Sequence, residues 1–185
     1  YQKGDTVGTF QFESAGMRKY LQELKPTDIE DLIAMNALFR PGPMDFIPNF
    51  INRKHGRENV EYPHELLEPI LKNTYGIMVY QEDVSRVAVK LAGFSHSMAD
   101  GLRKVISKKD RELRLRDYRQ RFFSGAASHG LDLDEIEPIW QMMMSFSGYS
   151  FCKPHSASYA LVSFKSCYLK AHHPGEFSRF FHTEW

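Results

Sequence analysis

Cysteine is scarce in this 185-residue sequence: only Cys152 and Cys167 occur. Two thiols make no disulfide framework, and a reducing cytosol fits them. No apolar run reaches the roughly 20 residues that a membrane span requires, and no stretch reads as a signal peptide. Excess charge is missing too. The net charge is +1, so any site for a polyanion has to be a local patch. There is no Walker loop, no Rossmann glycine fingerprint and no zincin His-Glu helix motif. Asp5, Glu13, Asp83 and Asp100 show no pairing that would seat two metal ions for phosphoryl transfer. Cys152 with His155 and Cys167 with His172 imitate a zinc spacing. Cys167 and His172 lie five positions apart in a helical stretch, however, so their side chains diverge and no metal site is expected. An initial methionine is also lacking, and the chain reads as a piece of something longer.

Aromatic residues, by contrast, are abundant, with 14 Phe and 9 Tyr, enough to exclude a disordered segment. Apolar residues recur mostly at helical spacing. The pattern predicts eight or nine helices and one or two short strands, at Thr6–Phe12 and Ile77–Tyr80, hence a mainly α, irregular multi-helix fold. Ser14 opens the first helix, and Thr27 with Glu30 reads as the capping box of the second, whose residues Leu32 to Phe39 are apolar nearly all round. Pro63 opens a helix that continues through Pro69. Gln81 to Ala92 follows with Gly93 as its stop, then Ser95 to Ile106, Asp110 to about Ser128, and a helix from Asp132 to about Phe146. The arginines of the Asp110–Ser128 helix alternate with Glu112 and Asp117, which marks a solvated face rather than a nucleic-acid stripe.

The chain is organised around residues 148–159. Lys153, His155 and Ser156 are polar neighbours, followed by Ala157, Leu161, Phe164, Tyr168 and Ala171. That spacing predicts one buried apolar stripe on a helix, with Ser156 as its N-cap. The free N–H groups and positive dipole end of a helix favour anions, phosphate among them. A second set of cations, Arg103, Lys104, Lys108 and Lys109, is either a solvated face or a polyphosphate patch. Arg40, at the end of a buried helix, is either a dipole partner or a functional cation.

Seven motifs in order then carry a resemblance over nearly the whole chain. They are Thr9–Ser14 with Gly16-Met17, Arg40–Pro43, Arg53–Gly56, Tyr75–Glu82, Ala99–Lys104 with Lys108-Lys109, residues 148–160, and Tyr168–Phe177. Together they resemble the alpha subunit of bacterial DNA polymerase III, the C-family replicative polymerase. The resemblance implies a palm–fingers junction at about 1–14 and a fingers domain at about 15–185, in a bacterial cytoplasmic protein. The palm and its magnesium-binding aspartates lie outside the chain, which is expected to bind no metal itself and to be inactive alone. In the whole enzyme a 3′-hydroxyl attacks the α-phosphate of a deoxynucleoside triphosphate (dNTP) and pyrophosphate leaves.

The resemblance also implies roles for named residues. Arg103, Lys104, Lys153, His155 and Ser156 would meet the nucleotide, with His155 as candidate proton donor to the pyrophosphate. Lys108 and Lys109 would meet template–primer phosphates, and Gln11 and Arg40 would brace the palm–fingers junction. Partners implied are template–primer DNA, dNTP, the palm, and a sliding clamp with other replisome subunits through the whole protein. Two adjacent arginines are usual in the family where Lys104 follows Arg103; lysine keeps the charge and loses the bidentate fork. Cys152 and Pro154 around Lys153, and Ile106-Ser107 before the paired lysines, also depart from the family pattern and point to a divergent branch. The alternative reading is a non-catalytic helical module that binds DNA or docks a protein, needing Lys108, Lys109 and the arginine helix but no triphosphate site.

Overall fold

A computed structural model describes residues 1–106, 112–147 and 150–183. Ten α-helices lie among them: α1 (Ala15–Leu24), α2 (Ile29–Leu38), α3 (Ile47–Lys54), α4 (Glu68–Leu71), α5 (Gln81–Ala92), α6 (His96–Ile106), α7 (Glu112–Ser128), α8 (Leu133–Ser147), α9 (Lys153–His172) and α10 (Pro174–Thr183). The chain is mainly α, as the periodicity requires. It forms two compact units, one of residues 1–54 with residues from 153 onward, the other of residues 55–152.

Neither expected strand joins a sheet among the described residues. Thr6–Phe12 is a succession of turns, with the Thr9 N–H donating to Thr6 O and the Phe12 N–H to Thr9 O, each at 3.0 Å. Gly8 and Gln11 take φ of 79° and 67°, which curls the segment away from the extended form. It buries Thr6, Thr9 and Phe12, every third residue, and leaves Val7 and Phe10 exposed. Ile77–Tyr80 is buried and makes a single parallel bridge, Tyr80 to Phe151.

In the first unit α2 is the hub. Leu32, Ile33, Ala34, Met35, Ala37 and Leu38 are all buried, so neighbours surround it on every side. Its cap lies one residue later than the Thr27–Glu30 box. Asp28 is the N-cap and accepts from the Asp31 N–H at 3.0 Å. Asp31 in turn reaches back to the Thr27 N–H at 2.9 Å. The shift leaves Glu30 outside the cap.

Helix α9 packs against α2, but with another face than the one expected. Its buried residues are Ser156, Ala160 and Ser163, at the same spacing of four and three. Leu161, Val162, Phe164, Tyr168 and Leu169 are exposed. Small side chains at the contact let two helix axes come close, and the large apolar residues are turned away from α2. The Ser156 hydroxyl completes the contact. It donates to Ile33 O at 2.6 Å and accepts from the Asn36 side chain at 3.3 Å.

The second unit is built on α5, which packs against α6 and α7. Val84, Val87, Ala88 and Leu91 face a core that includes Leu102, Phe122, Ile136, Ile139 and Trp140. Gly93 ends α5 at φ 67°, its N–H returning to Ala88 O and Val89 O. The helix expected from Pro63 is broken into two short 3-10 turns around α4. Pro69 is the second residue of α4, where its missing N–H costs nothing and starts the helix afresh.

Candidate functional site

Helix α6 opens at Ser95, whose hydroxyl accepts from the Met98 N–H at 3.2 Å. Ala99, Leu102 and Ile106 are buried. That stripe fixes the rotation of the helix and leaves Asp100, Arg103 and Lys104 on its solvent side, where the last two also suit the C-terminal dipole. Asp100 gathers both cations. Its Oδ1 accepts from Arg103 Nε at 3.0 Å and Nη2 at 2.7 Å, and its Oδ2 lies 2.7 Å from Lys104 Nζ. Arg103 Nη1 donates to Gln81 Oε1 at 3.0 Å, which ties the guanidinium to the first turn of α5. Lys104 and then Arg103 hold the Asp100 carboxyl below the usual carboxylate range. The Arg103 side chain is 30% exposed and that of Lys104 63%, so the pair is reachable from water.

Lys104 also borders a cleft between α6 and α7, shared with Arg114 and Tyr118. Gly101 keeps its wall thin, since a Cβ there would fall 2.2 Å from the Tyr118 hydroxyl. On the outer face of α7, Arg121 binds Asp117 and Arg119 binds Glu137. Those arginines are neutralised by carboxylates, in keeping with the solvated-face reading.

Lys153 and His155 stand in the first turn of α9, in the other unit. Lys153 Nζ is 3.0 Å from Glu30 Oε2, the carboxylate that the shifted α2 cap leaves outside. His155 is exposed and packs on Tyr159 with ring centroids 4.2 Å apart, and Tyr159 meets Phe10 edge-on at 5.3 Å. Ser156 does not cap α9. Lys153 is the first helical residue, and the buried Ser156 hydroxyl is directed into α2. Its expected part as helix cap gives way to a packing contact with α2.

Arg40 follows α2 and donates from Nε to Ala37 O at 2.9 Å. Burial pushes its pKa below the ordinary arginine value. Gln11 lies exposed on the curled segment. Lys108 and Lys109 lie outside the described residues. Among the described residues no three His, Cys, Asp or Glu side chains gather as a metal-ligand group, and no helix is long and apolar enough to cross a membrane.

Asp100 and Gln81 are the members of this constellation that sequence reasoning passed over. The signal for Asp100 was present, since it precedes Arg103 by three and Lys104 by four, the two spacings that meet on a helix face. Gln81 left no such signal, because its contact joins two helices.

A family model described as the bacterial DNA polymerase III alpha subunit finger domain matches residues 1–130. Among curated proteins, the DNA polymerase III subunit alpha of Halalkalibacterium halodurans is 47% identical over 175 residues, 95% of this chain and 16% of its own length. Its counterpart from Chlamydia trachomatis is 49% identical over 174 residues, 94% of this chain and 14% of its own. That of Bacillus subtilis is 47% identical over 172 residues, 93% and 15%. The chain thus spans 14 to 16% of the length of these relatives.

Proposed function

Because the chain belongs to the finger-domain family of the bacterial DNA polymerase III alpha subunit, we propose that it holds the incoming dNTP during DNA synthesis. In this reading Arg103 and Lys104 bind the triphosphate. What supports it is the shared carboxylate of Asp100: Arg103 and Lys104 already close on one anion from two sides. An anion gripped by a guanidinium and an ammonium together is how a phosphate chain is held.

Lys153 and His155 are further nucleotide contacts in this reading, in the first turn of α9, where the helix dipole favours negative charge. Glu30 stands in for that anion on Lys153. His155, exposed at its position, gives a proton to an oxygen of the departing pyrophosphate as the 3′-hydroxyl oxygen bonds to the α-phosphate. Magnesium and the catalytic carboxylates belong, in this proposal, to the rest of the longer polypeptide, so the chain by itself does not polymerise. Lys108 and Lys109 contact template–primer phosphates, and Gln11 and Arg40 meet the adjoining palm.

The test is single-turnover incorporation by the complete polymerase polypeptide. Arg103→Ala and Lys153→Ala are each expected to weaken dNTP binding about tenfold, the size of one lost charge-assisted contact. Arg121→Ala, on the solvated face of α7, is expected to leave it unchanged. Equal constants for all three variants and the parent would remove the triphosphate assignment. If His155→Gln incorporates at the parent rate, the proton-donor role goes.

The template contacts have a separate readout. Each phosphate contact contributes a slope of about 0.9 to the log–log dependence of DNA affinity on salt. Lys108→Ala/Lys109→Ala is expected to lower that slope by up to about two units, and an unchanged slope excludes both lysines.

A further inference from the structure

Arg103 and Lys104 are not bare cations waiting for phosphate. Both oxygens of Asp100 are engaged with them, Oδ1 with Arg103 and Oδ2 with Lys104. A polyphosphate arriving at these two side chains meets a carboxylate in place, with which it competes for donors and from which it is repelled as a like charge. The same carboxylate fixes the Nε–Nη2 edge of the guanidinium while the Gln81 amide oxygen fixes Nη1, so Arg103 is held between α5 and α6.

We propose that Asp100 is a specificity-determining residue that positions Arg103 and Lys104 and limits their grip on polyphosphate, so that pyrophosphate leaves readily after each addition. The proposal rests on the nucleotide-holding reading above. Two properties of the carboxylate are used, its geometry as an acceptor and its charge, and they act in opposite directions on affinity. The acceptor orients the cations, which favours nucleotide binding by lowering the ordering cost. The charge opposes every further anion at the same place. Asp100→Asn keeps an acceptor oxygen and removes the charge, whereas Asp100→Ala removes both.

An exposed ion pair is worth only a few-fold in an equilibrium constant, which sets the scale of the effect. In the complete polymerase polypeptide, Asp100→Asn is expected to lower both the inhibition constant of pyrophosphate and the dNTP dissociation constant about threefold. The dNTP constant comes from single-turnover incorporation, which separates nucleotide affinity from product release. Asp100→Ala is expected to tighten binding less than Asp100→Asn, because Arg103 loses its anchor. Asp100→Glu, which keeps the charge, is expected to stay near the parent. A residue that merely stabilised α6 would tighten nothing when replaced. The inference is overturned if Asp100→Asn leaves both constants unchanged or raises either, while Arg103→Ala still weakens dNTP binding. Should Arg103→Ala and Lys104→Ala both leave dNTP binding unaltered, the nucleotide-holding reading itself fails and this one falls with it.

Discussion

Asp31→Ala is expected to destabilise the first unit by about 3–5 kcal/mol, the cost of breaking a buried ion pair by removing its carboxylate. Asp31 Oδ2 lies 2.7 Å from Lys54 Nζ, and the two side chains are 3% and 9% exposed. Lys54 also donates to the Thr27 hydroxyl at 2.7 Å, and Asp31 accepts from the Thr27 backbone N–H. One carboxylate therefore joins the end of α3 to the beginning of α2. Alanine at position 31 leaves an ammonium with little access to water and removes the acceptor of a backbone donor. A double-mutant cycle separates the parts. Lys54→Met added to Asp31→Ala removes the buried ammonium as well, so the double variant is expected to be more stable than Asp31→Ala alone. Urea unfolding followed by circular dichroism reads the difference. If the two single losses simply add, the residues are uncoupled and the ion-pair account is wrong.

That pair also marks how far sequence reasoning reached. Helix positions were legible because each follows from local chemistry: Ser14 caps α1, Gly93 stops α5 in the left-handed conformation, and Ser95 precedes α6. The choice of buried face was not always legible. On α9 the positions 161, 164 and 168 are apolar and large, while 156, 160 and 163 are small, and both sets repeat at helical spacing. Periodicity cannot choose between two such faces; the close approach of α2 does, since only the small set fits. The capping box at α2 slipped by one residue for a related reason. Asp28 and Asp31 compete with Thr27 and Glu30 for the same role, and Lys54, 23 positions beyond Asp31, takes part in the choice. Of the candidate site, the cations were visible as residue types. Their counter-anions, Asp100 and Glu30, depend on side-chain direction, which for Lys153 and Glu30 no local pattern encodes.

Gly125→Val is expected to cost the second unit about 3 kcal/mol, at the upper end of overpacking losses. Glycine within a helix is about 1 kcal/mol worse than alanine, so its presence inside α7 calls for a compensating contact. The contact is with α5: a Cβ at position 125 would lie 2.1 Å from the Ala92 carbonyl oxygen and 3.0 Å from its carbon. Both are backbone atoms at the last residue of α5, and they cannot turn aside as a side chain would. Gly125→Ala is expected to lose about 2 kcal/mol, since its better helix propensity offsets part of the clash. Gly101→Ala meets the Tyr118 hydroxyl at 2.2 Å, but that atom ends a flexible side chain, and the loss is expected to be smaller than for Gly125→Ala. Trp140 reports the unit directly, being buried with its ring centroid 5.4 Å from that of Phe122. In a Trp185→Phe background, urea midpoints read from its fluorescence should fall in the order parent, Gly101→Ala, Gly125→Ala, Gly125→Val. A Gly125→Val midpoint no lower than that of Gly101→Ala would refute the close approach. The consequence reaches the site as well. Pushing the end of α5 away from α7 tilts the helix whose first residue, Gln81, holds Arg103, so Gly125→Ala is also expected to weaken dNTP binding in the complete polymerase without touching any cation.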